Sequence, residues 1–388
     1  MKPAFIALAL TLALVGPTSA QTTPVPLTTL QSAAQSGAPD AQLALALRYL
    51  NGDGVLQNHA TAAQWLTAAA QAGNAEAQNR LGQLYFEGLG VAQNTATARD
   101  LLTRAAQSGT PQYLFDLGIV LEASGDATAA AERYEQAAAS GHPDAATSLG
   151  VMYHNGTGRP QDLNRARALY EQATAQNHPR ALNNLGLLYV RGEGVDQDYA
   201  RAADYFQRAA ELGLRTAMTN LGVLYENALG VPLNEELAQD LYRLGGSGGT
   251  GGTLASFVYD PRLRAPEETA DAIRNMTELA DAGDPIAMFQ TAWLLATNPE
   301  RDFQMLRAAA HLFAITAEQG HGPSMANLSL MYFRGQGQPQ DYVLGQMWLL
   351  LAQRAGVDTA ALTAEFGRQP SIKQITQAQT LAQEHISR

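Results

Sequence analysis

Cysteine is absent from all 388 residues. That excludes disulfides, a thiol nucleophile and thiolate metal sites, and it excludes a lipoprotein, whose anchor needs a cysteine at the new N-terminus. Lysine is almost absent too, occurring only as Lys2 and Lys373. Neither follows a serine by three positions, so the Ser-x-x-Lys motif of penicillin-recognising serine hydrolases has no counterpart. Basic residues number 25 against 36 acidic ones. No basic patch is present to neutralise phosphates, which argues against nucleic acid as a partner; the acidic excess favours solubility. Long apolar runs are missing apart from one at the start, which is too short for the roughly 20 residues a membrane span requires.

That run has a recognisable layout. Lys2 precedes Ala4–Val15, broken only by Thr11; Gly16-Pro17 ends it, and Thr18-Ser19-Ala20 supplies small residues for cleavage. We read residues 1–20 as a secretory signal peptide cleaved after Ala20, giving a periplasmic or secreted protein with no membrane span in the mature chain. Residues 21–26 form a Thr/Pro tail.

What is present is repetition. Marks fall at Gly37, Gly73, Gly109, Gly141, Asn177, Gly213, Gly249, Gly283, Gly320 and Gly356, mostly 36 residues apart. Gly and Asn are the residues that tolerate a left-handed backbone just past a helix end. Seven positions before the marks stand large apolar residues: Leu30, Leu66, Leu102, Tyr134, Tyr170, Phe206, Tyr242, Met276, Phe313 and Leu349. Four before most marks is alanine, so both columns share one helical face. This is helix B of each unit. Nine positions after the marks come small residues, including Gly82, Gly118, Gly150, Gly186 and Gly222. A mid-helix glycine costs roughly 1 kcal/mol relative to alanine, so its recurrence predicts a close approach by a neighbouring helix backbone. Three residues further on lies a tyrosine column: Tyr49, Tyr85, Tyr153, Tyr189, Tyr225 and Tyr332. This is helix A. Tight turns such as Gly52-Asp53-Gly54 and Gly192-Glu193-Gly194 join A to B.

Leu81-Gly82-Gln83-Leu84-Tyr85 and Leu185-Gly186-Leu187-Leu188-Tyr189, each followed by a Gly-x-Gly-Val loop and a helix ending Ala-Ala-x-x-Gly or a close variant, resemble the Sel1-like repeat family. The resemblance covers roughly residues 27–356. It implies an all-α fold, a right-handed α-solenoid of stacked helix-turn-helix units related to tetratricopeptide repeats, and a role in scaffolding or regulating protein complexes.

Two units depart from the pattern. The one from Gly109 is four residues short and lacks the Gly-x-Gly loop. The one from Gly249 has Gly245 to Gly252 in place of a helix end and start, which predicts a flexible break over 245–264 with at most a short helix. The array is thereby divided into front repeats (27–244) and rear repeats (265–356), the latter opening with a helix B from Pro266 to Ala282. Residues 357–388 read as two capping helices.

Chemistry-bearing motifs are thin. Gly245-Gly246-Ser247-Gly248-Gly249 fits Gly-x-Ser-x-Gly, but a helix precedes it and more glycine follows, whereas a nucleophile elbow needs a strand before and a helix after. Gly246–Gly251 fits Gly-x-Gly-x-x-Gly without a βαβ context. His142, His178 and His321 each follow a mark; as one per unit they predict turn or capping roles, and not a shared metal site. Asp196 and Asp198 read as a solvated loop. No catalytic, cofactor or metal residue is assigned. The expectation is a non-enzymatic exported scaffold for protein partners of the bacterial cell envelope, with an envelope hydrolase or β-lactam-interacting protein as the alternative.

Overall fold

A computed structural model describes residues 25–246, 255–266, 269–367 and 369–387. The signal-peptide reading and most of the glycine-rich motif around Ser247 lie outside the described residues. Within them stand twenty α-helices and no strand. They are α1 (Leu27–Gln35), α2 (Pro39–Asn51), α3 (His59–Gln71), α4 (Ala75–Glu87), α5 (Thr95–Ala106), α6 (Pro111–Ala123), α7 (Ala127–Ala139), α8 (Pro143–Asn155), α9 (Leu163–Thr174) and α10 (Pro179–Arg191). There follow α11 (Tyr199–Glu211), α12 (Arg215–Glu226), α13 (Glu235–Gly246), α14 (Ala270–Asp281), α15 (Pro285–Thr297), α16 (Phe303–Glu318), α17 (Gly322–Arg334), α18 (Tyr342–Arg354), α19 (Ala360–Phe366) and α20 (Ile372–Ile386). Consecutive helices pack on one another from α1 to α13 and again from α14 to α18, with α20 on α18. This is the stacked-hairpin solenoid.

Local chemistry sets each boundary. Asn58, Asn94, Asp162 and Asp198 cap their B helices by accepting from the N–H of Thr61, Thr97, Arg165 and Arg201. The same cap residues donate their own N–H to the tyrosine column, as Asn94 does to Tyr85 O (2.8 Å) and Asp198 to Tyr189 O (3.0 Å). A glutamine column one residue upstream completes the turn. Gln57, Gln93, Gln161, Gln197 and Gln340 reach back to the carbonyls of Leu50, Phe86, His154, Val190 and Phe333. Every described mark has positive φ, Asn177 included at 54°. Past the mark the chain donates to the alanine column, as His142 N does to Ala137 O (3.1 Å), which satisfies an end carbonyl that the helix leaves open.

The small-residue column answers first to a bulky side chain of helix B, a ring over four of its five glycines and Leu102 over Gly82. Helix B backbone comes next at Gly82 and Gly222, where Ala98 O and Ala238 O would lie 3.3 Å from a Cβ. A Cβ built on Gly186 would lie 2.7 Å from Phe206 Cε1, and on Gly118 2.4 Å from Tyr134 Cε1. The bulky residue of helix B drops its side chain into the notch that helix A leaves for it, and Tyr134, Tyr170 and Phe206 are fully buried there. Burying such a side chain is worth roughly 1.5–3 kcal/mol, which offsets the helix-propensity cost of glycine. The tightest backbone approach is at the second loop glycine: a Cβ on Gly90 or Gly230 would overlap the first turn of the preceding helix B, at His59–Ala60 or Tyr199–Ala200.

The unit from Gly249 has no helix A within the described residues. In its place residues 255–266 form a strap without regular structure, and helix B of that unit begins at Ala270, four residues later than the sequence suggested. The strap is not slack where it is described: Ala255 and Asp260 are buried, and it is bonded to three helices. The solenoid also meets itself. Leu56, from the loop between α2 and α3, belongs to the same buried cluster as Ala378 and Ala382 of α20.

Candidate functional site

The strap runs along the helix A side of the rear repeats. At one end Ala255 N donates to Glu365 Oε2 (2.8 Å), and its carbonyl accepts from Arg334 Nη2 (2.7 Å). In the middle Asn327 holds both main-chain polar groups of one residue: Val258 N donates to its Oδ1 (2.6 Å) and its Nδ2 donates to Val258 O (2.9 Å). At the other end Asp260 meets His321 at 3.0 Å. Arg334 and His321 stand at opposite ends of α17, whose thirteen residues span about 20 Å; the five steps from Ala255 to Asp260 cover about 17 Å when fully drawn out. The strap is therefore extended and antiparallel to α17. Phe257 stacks toward Phe313 (6.3 Å between centroids), and Tyr259 packs on Phe289 (5.5 Å) and Trp293 (4.9 Å).

The Asp260 end joins a polar chain. His321 Nδ1 lies 2.8 Å from Ser324 Oγ, and Thr316 Oγ1 donates to Ser324 Oγ at 2.7 Å. Arg262 and His321 hold the Asp260 carboxyl well below the usual carboxylate range, so it accepts only. His321 Nε2–H then donates to it, Ser324 accepts from Thr316, and His321 Nδ1 and Ser324 Oγ share the bond between them. Serine, histidine and aspartate thus stand in the order of a nucleophilic triad, an association invisible in a sequence that places Asp260 and His321 61 residues apart. Two facts oppose catalysis. Ser324 has no exposed surface, and Asp260 belongs to the strap, so unseating the strap to admit a substrate would carry the acid away.

The front repeats spend their polar groups internally. On α6, Asp116 is buried and accepts from Asn79, Gln83 and Gln112 at 2.8–2.9 Å; burial raises its carboxyl despite these donors. Burial, helped by the Asp116 charge, pushes Glu87 up to about 6. Asn220 donates to Asn183 (2.8 Å), and His178 Nε2 faces Asp144 (2.9 Å). His142 and His178 cap α8 and α10 through Nδ1, as their place after the mark predicted; His321 meets Ser324 instead. Asp198 is a helix cap and Asp196 is exposed. Tyr153 and Tyr189 hydroxyls accept from Arg165 and Arg201 of their own units' B helices. Among the described residues no cluster of three or more His, Asp or Glu suits a metal ion, and no helix is long and apolar enough to cross a membrane.

A second long-range contact joins the two ends of the array. Gln379 on α20 accepts from His59 N (3.3 Å), and its Nε2 lies 3.0 Å from His59 Nδ1. Burial depresses the His59 ring to about 4, consistent with a neutral imidazole accepting from the amide.

Comparison with known proteins agrees with this architecture. The Sel1 repeat pattern matches residues 39–74, 75–110, 143–178, 179–214, 216–249 and 322–357, together more than half of the chain. It passes over the shortened unit, and over the strap with the three helices that follow it, α14 to α16. Among solved structures, c5321, a protective antigen of uropathogenic Escherichia coli with a Sel1-like repeat fold, is similar at 23% identity and TM-score 0.53, over 94% of this chain and 95% of that one. A Sel1 repeat protein from Oxalobacter formigenes is similar at 26% identity and TM-score 0.51, over 56% of this chain and 96% of that one. No curated protein matches the sequence.

Proposed function

The chain belongs to the Sel1 repeat family, and from that premise we propose that it is an exported, non-enzymatic scaffold which holds protein partners of the bacterial cell envelope on its curved solenoid surface. Sel1 repeats are generally protein-interaction modules, and stacking of hairpins that cannot bury their faces alone yields one extended binding surface. The observation that carries the reading is the strap: its backbone is bonded by Asn327, Arg334 and Glu365 on the helix A side, which is how a repeat surface holds an extended protein segment. Export rests on Lys2, the apolar run Ala4–Val15 and the small residues up to Ala20.

Crosslinking of the mature protein in its native envelope, followed by identification of what is captured, tests this. A specific envelope protein, recovered from the periplasmic fraction, is the expected result; cytoplasmic retention of the intact precursor, or no specific partner, overturns it. The Asp260–His321–Ser324 arrangement is the one observation favouring a hydrolase. A fluorophosphonate probe and a fluorescent β-lactam decide that point, and labelling that disappears in Ser324→Ala would establish the alternative.

A further inference from the structure

We propose that the groove over α15 and α17 is a recognition site for an extended partner segment carrying an aromatic, an aliphatic, an aromatic and an aspartate in succession, and that strap 255–260 is the chain's own occupant, which such a partner displaces. This rests on the scaffold reading above and names the surface and the partner chemistry.

Three features separate a seated occupant from an ordinary loop. First, the anchoring is directed at main chain at two places: Glu365 with Arg334 takes both polar groups of Ala255, and Asn327 takes both of Val258. Bonds of that kind serve any extended segment and give affinity without demanding a sequence. Second, the side chains are read separately. Phe257 and Tyr259, two residues apart, meet the aromatic floor of Phe289, Trp293 and Phe313, and Asp260 meets His321. Aromatic anchors in an aromatic-lined groove are the side chains that dominate binding energy at interfaces. Third, the strap leaves room beside itself. An open groove of about 580 Å³ borders Ala255, Ser256 and Phe257, lined also by Arg301 and Arg334, so an incoming segment has a foothold at the end it must unseat first.

The front repeats show what the same surface looks like without an occupant. There Asn220, at the position of Asn327, closes on Asn183 of the preceding unit, and His178, at that of His321, on Asp144 of the preceding unit. In the rear, Asn327 and His321 turn to the strap. An occupied groove lowers the apparent affinity for any competitor by the fraction of molecules in which the groove is free, so weakening the strap must strengthen binding of a free segment.

The test uses a fluorescently labelled, end-blocked peptide with the sequence of residues 255–260, titrated into the full-length mature chain and followed by anisotropy. Val258→Pro removes the N–H that Asn327 accepts, and with it the strap's central anchor. We expect this variant to bind the peptide at least tenfold more tightly than wild type, adding Asn327→Ala to reverse the gain, and a peptide ending in alanine instead of aspartate to bind about tenfold more weakly. Equal peptide affinity in wild type and Val258→Pro, with helical circular dichroism intact, overturns the proposal. Should Val258→Pro lose the helical signal, Asp260→Asn, which leaves the Val258 anchor in place, decides instead: tighter peptide binding with helical signal intact upholds the proposal, and unchanged affinity overturns it. Dimerisation of Val258→Pro by light scattering would assign the groove to a second copy of the chain and overturn the partner assignment. A captured envelope protein whose binding ignores both Val258→Pro and excess peptide would leave the scaffold reading standing and remove only this groove from it.

Discussion

Front and rear repeats obey one packing rule with the roles exchanged. In the front, helix A carries the glycine and helix B the ring, as with Gly186 under Phe206. In the last unit, helix B carries Gly345 and helix A the ring: a Cβ on Gly345 would lie 2.7 Å from Phe333 Cδ1, while the helix A notch is filled by Ser329, bonded to Gly345 O at 2.8 Å. The repeat places a bulky side chain, a ring in most units, in a notch between A and B, and either helix can supply either half. The second difference is polar. Front helix A residues satisfy one another; rear ones satisfy a strap that stands where a helix A is missing. The rear has thus exchanged a hydrophobic repeat element for a bonded segment.

The largest expected effect removes the ring itself. Phe206→Ala and Phe313→Ala each take a fully buried ring out of the core, for about 3–5 kcal/mol of stability, measured as the shift of the urea midpoint. The regions should then diverge. Phe313 also supports Phe257 and Phe289 at 6.3 and 6.0 Å, so its loss should open the strap to limited proteolysis near Phe257 in otherwise folded protein. Phe206→Ala should leave that segment protected. Equal strap protection in both variants would break the comparison.

Acid should act where the two regions meet. The folded His59 ring titrates at about 4 against 6.5 for an ordinary histidine, so the unfolded chain binds the proton more tightly. Stability from this group is complete above pH 6.5 and falls away as pH drops toward 4, by about 3 kcal/mol in all. Glu87 works in the opposite sense, because a carboxyl pushed up to about 6 favours the fold as pH falls. The readout is therefore the difference between wild type and His59→Gln in unfolding free energy across pH 4–7. Wild type should lose more on acidification, and parallel curves would show that burial of the His59 ring does not couple its protonation to folding.

Adding one methyl group tests the exchanged roles. Gly186→Ala and Gly345→Ala gain roughly 1 kcal/mol of helix propensity, but a Cβ at 2.7 Å from a ring with almost no exposed surface forces repacking that costs typically 1–3 kcal/mol. The net change should be destabilising at both positions, and larger at Gly345, since Phe333 is held from its other side by Phe366, stacked at 4.7 Å. Phe206→Leu should relieve part of the Gly186→Ala cost, as Leu102 over Gly82 already does in the second unit, and a double-mutant cycle would show the coupling.

Much of this architecture was legible in residue spacing because it is local. Marks, ring column, glycine column and capping residues all act within about 36 residues, and each has a side-chain requirement that repeats. The identity of the approaching atoms was not legible: a recurring glycine signals proximity without saying whether backbone or ring causes it. The strap was harder. Phe257-Val258-Tyr259-Asp260 has no period, and the glycine before it suggested slack, yet its partners are Asn327, His321, Arg334 and Glu365, 61 to 110 residues away. The Asp260–His321–Ser324 chain and the closure of His59 on Gln379 were hidden for the same reason. A single sequence records what each unit needs from its neighbours, but not which distant segment settles on the surface they make.

The smallest effect asks how tightly each region closes its hairpins. Asp198 joins two elements at once: its carboxylate accepts from Arg201 N at 2.9 Å, and its own N–H goes to Tyr189 O, so it caps α11 and fastens α11 to α10. Thr269 caps α14 with a longer bond to Ala272 N, 3.3 Å, and among the described residues no helix A precedes it to offer a tyrosine-column carbonyl. Asp198→Ala should cost about 1 kcal/mol and Thr269→Ala nearer ~0.5 kcal/mol. Native-state hydrogen exchange reads both, because the loss at 198 should reach amides of α10 as well as α11, while the loss at 269 should stay within the first turn of α14. If exchange after Thr269→Ala spreads into the strap or α15, the rear is fastened through that cap after all, and the contrast between a self-closed front and a strap-held rear would have to be redrawn around Thr269.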